Sequence, residues 1–256
     1  MSYISKIDIN CDMGESYGRF KIGNDEAIFP FITSCNIACG YHGGDPLVIE
    51  ETIQNALKHK VQIGAHPSYP DLSGFGRRGM DIAKDELCAL IKYQIAALKG
   101  MTESCGGKLA YVKPHGALYN ATASKREEAM AVIEAIREID GTLAVMGLAG
   151  SVIEEIAKEE MIPFIGEAFA DRKYTSDGKL MSRRITGSVI YDPEEAAQQV
   201  LSIVIKNQVV SDDDVTVNLN AQSICIHGDN PSAVAILQAI DRALIEKNIN
   251  KERFSI

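Results

Sequence analysis

Short runs of β-branched and apolar residues recur along the chain, and between them lie longer stretches in which apolar positions return every three to four residues. The first pattern predicts strands and the second amphipathic helices. Seven strand runs stand out, at 7–10, 34–39, 61–65, 110–113, 143–146, 163–167 and 223–227. Several are apolar on both faces, as suits strands covered on each side by helices. Leu87, Ile91, Ile95 and Leu98 mark one helical stripe, Ala196, Val200, Ile203 and Val204 a second, and Val234, Leu237, Ile240 and Leu244 a third. Helix starts are signalled by Asp45-Pro46, by Asp192-Pro193 with Glu195, by Asn230-Pro231, and by Ser124 with Glu127 as a capping box. A shorter helix is expected over 25–31.

Strand and helix patterns that alternate in this way predict parallel strands joined by crossover helices. About seven such units in a chain of 256 residues match the size of a single α/β barrel. No linker, charge block or low-complexity tract divides the sequence, so one domain over 1–256 is expected. Two excursions interrupt the rhythm. One is the glycine-rich loop from Pro67 to Met80, and the other lies near 173–190, where Asp177-Gly178 predicts a hairpin.

Charge narrows the partners. With 35 acidic against 26 basic residues the net charge is −9, which disfavours nucleic acid and anionic membranes and leaves small molecules or other proteins. No run approaches the ~18 apolar residues of a membrane span, and the first residues lack a signal-peptide core, so a cytoplasmic location is expected. The six cysteines are scattered, and reduced thiols are expected.

The chemistry gathers at strand ends. His42, His66, His115 and His227 all fall there, and only His59 falls within a helix. Asp12, Glu15, Asp45, Asp71, Glu167, Asp171 and Asp229 follow strands in the same way, and Lys113, Arg172 and Arg183 add positive charge. In a parallel α/β sheet these ends converge on one crevice, so the pattern predicts a site rich in proton carriers. Helix capping is the plainer reading for Asp45 and Ser124. Lys113 and His115, separated by Pro114, are placed to reach one ligand, the lysine as a point charge and the histidine as a proton carrier. Arg77-Arg78 reads equally as an anion-binding loop or a solvated pair. Cys11, Cys35, Cys39 and Cys225 lack zinc-site spacing, whereas a hard-metal site of Asp12, His42 and His66 stays open. No Walker-type phosphate loop and no G-x-S-x-G elbow is present.

The stretches Asp8-Ile9-Asn10-Cys11-Asp12-Met13-Gly14-Glu15, Asn36 to Pro46, Gly64-Ala65-His66-Pro67, Gly74 to Arg78, Val112 to Asn120, Glu167 to Arg172 and Ile226 to Asp229 together resemble the LamB/YcsF family, the A-type components of 5-oxoprolinase. The likeness runs nearly end to end and in order. It departs at Arg184-Ile185-Thr186-Gly187-Ser188, where the family more often has a proline before the glycine. The resemblance implies a seven-stranded parallel (β/α) barrel, TIM-barrel-like, of the glycoside hydrolase/deacetylase type. It also implies ATP-dependent opening of the 5-oxo-L-proline lactam to L-glutamate together with partner subunits B and C. ATP with Mg2+ is the implied cofactor, and no tightly bound transition metal is expected.

For this reaction Asp12, His66, His115 and Lys113 are the catalytic candidates. Glu15, His42, Arg77, Glu167, Asp171, Arg172, His227 and Asp229 are the candidates for binding substrate or nucleotide. Two other readings compete. A stand-alone divalent-metal amidohydrolase or carbohydrate deacetylase would hold a metal and need no ATP, and a noncatalytic carrier or scaffold would keep complex activity after loss of the rim groups.

Overall fold

The structure is a computed structural model that describes residues 6–255. The elements in chain order are β1 (Lys6–Met13), α1 (Asp25–Ile28, continued by a 3-10 turn over Phe29–Phe31), β2 (Ser34–Ala38), α2 (Pro46–His59), β3 (Gln62–His66), α3 (Lys84–Ser104), β4 (Leu109–Val112), α4 (Gly116–Thr122), α5 (Arg126–Asp140), β5 (Ala144–Leu148), α6 (Val152–Glu159), β6 (Phe164–Phe169), α7 (Pro193–Lys206), β7 (Gln208–Val210), β8 (Thr216–Asn218), β9 (Ser223–Ile226), α8 (Ala233–Glu246) and β10 (Asn250–Lys251). Among the described residues, β1 to β6 and β9 pair in parallel, and β9 pairs back onto β1, so seven strands close into a barrel. Each predicted strand corresponds to one of these seven. A small antiparallel β7–β8 ribbon and the short β10 beside β1 are additions that the hydrophobic pattern does not predict.

Helices cover the outside of the ring, with α3 packed on α5 and α7 on α8. Ile9, Cys11 and Met13 of β1 point into this outer layer with Ile53, Ile91, Val132 and Ile236. The opposite face of β1 carries Asp8, Asn10 and Asp12, all buried. These face the barrel interior, where Tyr111 of β4 reaches across to donate to Asn36 Oδ1 of β2 at 2.7 Å. Tyr111 also joins Ala144, Met146, Ile165 and Phe254 in an apolar plug inside the ring.

The helix starts follow the sequence only in part. Asp45 accepts from the Leu47 and Val48 amides and Asp192 from the Glu195 amide, as capping requires. Ser124 forms no capping box: its hydroxyl donates to the Asn120 and Ala121 carbonyls, closing α4, and Lys125 precedes α5. Asn230 is drawn to Asp171, which its amide reaches at 3.1 Å, so Ser232 takes the N-cap position of α8. The expected excursion near 173–190 does fold back on itself, with an antiparallel Tyr174–Leu180 bridge and a second bridge, Arg172–Val189, at its root. None of the described helices is long and apolar enough to cross a membrane.

Candidate active site

At the C-terminal end of the barrel a cavity of about 620 Å³ opens between the strand ends and the 173–190 hairpin. Asp12, His66, Lys113, His115, Arg172 and His227 line it, with Arg77 at its edge. Glu15, His42, Glu167 and Asp171 lie behind these residues, each buried. Asp229 sits at the rim, paired with Arg77 at 2.7 Å across the mouth. The two loops that carry these partners, after β3 and after β9, are thereby tied together. Arg78 is likewise paired, with the buried Asp71 that also holds the Gly74 amide, so neither arginine of the pair is a free anion hook.

Lys113 is the centre of the barrel mouth. Its ammonium donates to Asp12 Oδ1 at 2.9 Å, lies 2.8 Å from Glu167 Oε1 and 3.1 Å from Cys225 Sγ, and is almost wholly buried. Burial alone would push its pKa down, but Asp12, Cys225 and Glu167 outweigh that and hold it well above its ordinary value. For Asp12 burial works upward, while the His66 ring and Lys113 more than compensate and keep the carboxylate well below the usual range. The lysine is thus a fixed, desolvated positive charge. Asn36 braces the pair by donating to Asn10 Oδ1 at 2.7 Å and Asp12 Oδ1 at 2.8 Å.

The histidines divide into two groups. His227 donates through Nδ1 to Asp171 Oδ1 at 2.8 Å, which leaves its Nε2 as the basic nitrogen. Burial lowers the His227 pKa and the Asp171 carboxylate partly restores it. A base oriented by a buried carboxylate is the arrangement that proton abstraction requires. His66 Nδ1 donates to the Lys113 carbonyl at 2.7 Å and His115 Nε2 to the Phe75 carbonyl at 2.9 Å. Their other nitrogens, His66 Nε2 and His115 Nδ1, face each other at 3.0 Å. His42 stacks on His115 with ring centroids 3.7 Å apart and nearly parallel, and its Nε2 meets Glu15 Oε1 at 3.1 Å. Burial first, then the neighbouring imidazoles, push His42 and His115 well below the usual imidazole range, whereas burial and Asp12 push Glu15 well above the usual carboxylate range.

The loop over these rings depends on one glycine. Gly76 has φ +62°, and a Cβ there would lie 2.8 Å from His115 Cδ2 and 2.9 Å from His42 Cβ. Without it the Phe75 carbonyl could not approach the His115 ring.

Arg172 closes the far wall. It is nearly buried, and its Nε has no hydrogen-bond partner, nor does Arg183 Nη2. Burial and then the repulsion of Arg183 lower the Arg172 pKa to about 10. Two guanidinium groups that line one cavity, each with a buried donor that has no partner, are suited to an anion.

The cysteine alternative finds no support in the geometry. Cys11 and Cys225 occupy opposite faces of their strands, the one with Ile9 in the outer layer and the other inward beside Lys113. Burial raises the Cys35 and Cys39 thiols, the latter to about 12. All six thiols are unpaired. The Asp12, His42 and His66 metal set is also rearranged: Asp12 Oδ2 is 3.3 Å from His66 Nε2, but His42 turns to Glu15, and His115 takes the place beside His66.

The model of the LamB/YcsF family matches residues 7–255. The chain belongs to the LamB/YcsF family. Among LamB/YcsF relatives it is 48% identical over 249 residues to the third of the 5-oxoprolinase A-type components of Pseudomonas syringae pv. tomato, covering 97% of each chain. The crystal structure of the lactam utilization protein from Thermus thermophilus superposes with a TM-score of 0.92 at 42% identity, over 97% of this chain and 100% of that one. A more remote likeness, TM-score 0.53 at 8% identity over 100% of this chain and 90% of that one, joins the LamB/YcsF barrel to the catalytic domain of a peptidoglycan N-acetylglucosamine deacetylase from Eubacterium rectale. It shows a shared fold alone.

Sequence reasoning missed Asp8, Asn10, Asn36 and Tyr111, the polar interior beneath the site. A signal was present: Ile7-Asp8-Ile9-Asn10-Cys11-Asp12-Met13 alternates strictly, and in a strand buried on both faces the polar set has to point into the barrel.

Proposed function

We propose that the chain is the lactam-opening component of an ATP-dependent 5-oxoprolinase, acting with subunits B and C in the cytoplasm to convert 5-oxo-L-proline to L-glutamate. The observation that carries this reading is that one cavity is lined by both cationic and proton-handling side chains, Lys113 and Arg172 together with His227, His66 and His115. The names of a similar protein and of a matching crystal structure, a 5-oxoprolinase component and a lactam utilization protein, support it.

A lactam is a resonance-stabilised electrophile, and transfer of the ATP γ-phosphoryl to its carbonyl oxygen breaks that resonance. Water adds at the carbon, the C–N bond breaks as the ring nitrogen takes a proton, and the acyl phosphate left behind is hydrolysed to L-glutamate and phosphate. In this reading Arg172, with Arg183, holds the substrate carboxylate or the transferring phosphoryl, and Lys113 stabilises negative charge that develops at the carbonyl. His227, held by Asp171, takes a proton from the attacking water.

The test is glutamate release from 5-oxo-L-proline by the purified chain, with and without ATP and the two partner subunits. Release only when all are present is expected. Release by the chain alone, without ATP, would replace this reading with a stand-alone amidohydrolase.

A further inference from the structure

The His66–His115 contact is chemically incomplete as it stands. Each ring already gives its one neutral N–H to a backbone carbonyl, His66 to Lys113 and His115 to Phe75, so two lone pairs face each other at 3.0 Å. Two acceptors at that distance repel unless a positive centre lies between them. A backbone carbonyl on the far nitrogen is also the usual support of a metal-ligating histidine, because it selects the tautomer and aims the free lone pair.

We infer that His66 Nε2, His115 Nδ1 and the Glu15 carboxylate form a site for one divalent transition-metal cation of the Zn2+ or Mn2+ class, with Asp12 beside it. Ligand atoms bonded at about 2.0–2.1 Å stand about 3.0 Å apart at an octahedral right angle and about 3.4 Å apart in a tetrahedron. The observed separations bracket these values: 3.0 Å between the two rings, 3.6 Å from His115 Nδ1 to Glu15 Oε1, and 3.3 Å from His66 Nε2 to Asp12 Oδ2. The two rings stand at 85°, and one ligand atom from each of Glu15, His66 and His115 lies within 4.8 Å of the others. His42 is different. Its ring lies parallel to His115, within 4°, so both cannot aim at one point; it is a positioning residue that stacks on His115 and holds Glu15. The competing occupant is a proton shared between His66 and His115, and the 15N spectra below distinguish the two. His66 and His115 both line the cavity, which leaves a ligand position open to it.

The ligands come from separate strand ends, a pattern that spacing along the chain does not record, which is why the sequence led to the expectation of no tightly held transition metal. The site stands on geometry and is independent of the proposed reaction. Metal binding without lactam opening would sink only the latter, and lactam opening by a complex whose folded chain binds neither metal would sink only the former.

The test is calorimetric titration of the chelator-treated full-length protein with ZnCl2 and with MnCl2, with elemental analysis of the dialysed product and the absorption spectrum of the Co2+ form. The expected result is one equivalent per chain with at least one of the two metals and a thermal midpoint that rises with free metal. His66→Gln should abolish binding, and His42→Ala, which spares every ligand atom, should weaken it ~10–100-fold. His115→Asn serves the same purpose should His66→Gln misfold, as judged by circular dichroism. Binding of neither metal by the folded native chain would overturn the inference, as would equal affinity in the folded ligand variants. So would a shared His66–His115 proton in 15N spectra that persists with metal added.

Discussion

Asp8 lies at the closed end of the barrel, and its carboxylate accepts from Thr33 Oγ1 at 2.6 Å, from Ser34 Oγ at 2.7 Å, and from Ser223 Oγ. Burial raises its pKa from 3.8 to about 6, despite the three hydroxyls that pull it down. A carboxyl whose folded value exceeds its unfolded value binds its proton more readily in the native state. Stability is therefore lost as pH rises from the unfolded value to the folded one, and the loss persists above it. At ~1.36 kcal/mol per pH unit, the gap between 3.8 and about 6 amounts to about 3 kcal/mol.

Asp8→Asn removes the charge and keeps the shape. Its Oδ1 still accepts from Thr33 and Ser34, and its amide can donate to Ser223 Oγ, so any hydrogen-bond loss is independent of pH. Urea unfolding followed by far-UV circular dichroism suits a chain with no Trp. Between about pH 4 and about pH 7 the native protein should lose about 2 kcal/mol of that total relative to the variant, the rest being lost below about pH 4. A difference between the two that stays constant over that range would refute the buried-charge account of this residue.

Three further outcomes follow from the site. Lys113→Met leaves the Asp12 and Glu167 carboxylates without their shared cation and should cost about 3–5 kcal/mol in the same unfolding measurement; a loss below about 1 kcal/mol would show that the lysine does not hold the mouth together. Asp171→Asn should lower kcat of the reconstituted complex ~10²–10⁴-fold with little change in KM. The native acid limb should lie below the ordinary imidazole value, because His227 is lowered by burial and must be deprotonated to act, and the variant should move it lower still, since Asp171 is what raises it; an unmoved limb would remove His227 as base. Gly64→Ala drives a Cβ into the Tyr111 ring and should cost about 1–3 kcal/mol, with Tyr111→Leu in the same chain recovering part of it.

Much of this architecture is legible in the sequence. The strand runs can be read because helices cover their outer face and force apolar residues there, and the histidines can be grouped because parallel strands bring their C-terminal ends together. What stays hidden depends on contacts across the ring. Nothing near Lys113 in sequence says that Glu167 and Cys225 will flank it. Arg77 reads equally as an anion hook or a solvated charge until Asp229, from the loop after β9, meets it. Ser124 and Glu127 have the spacing of a cap, yet the end of α4 claims the serine first. The β7–β8 ribbon, split by the polar run Ser211 to Asp214, escapes notice because its two strands are short and fall outside the strand–helix rhythm.

The 173–190 hairpin leaves the ring after β6 and returns before α7, and the Arg172–Val189 bridge holds its two stems together at the root. Its returning limb, Lys179 to Arg184, faces the same cavity as the staves that bear Asp12, His66, Lys113 and His115, yet belongs to none of them. A substitution in that limb reshapes the entrance, as a new bit does in a fixed chuck, while the strand-borne groups below keep their places.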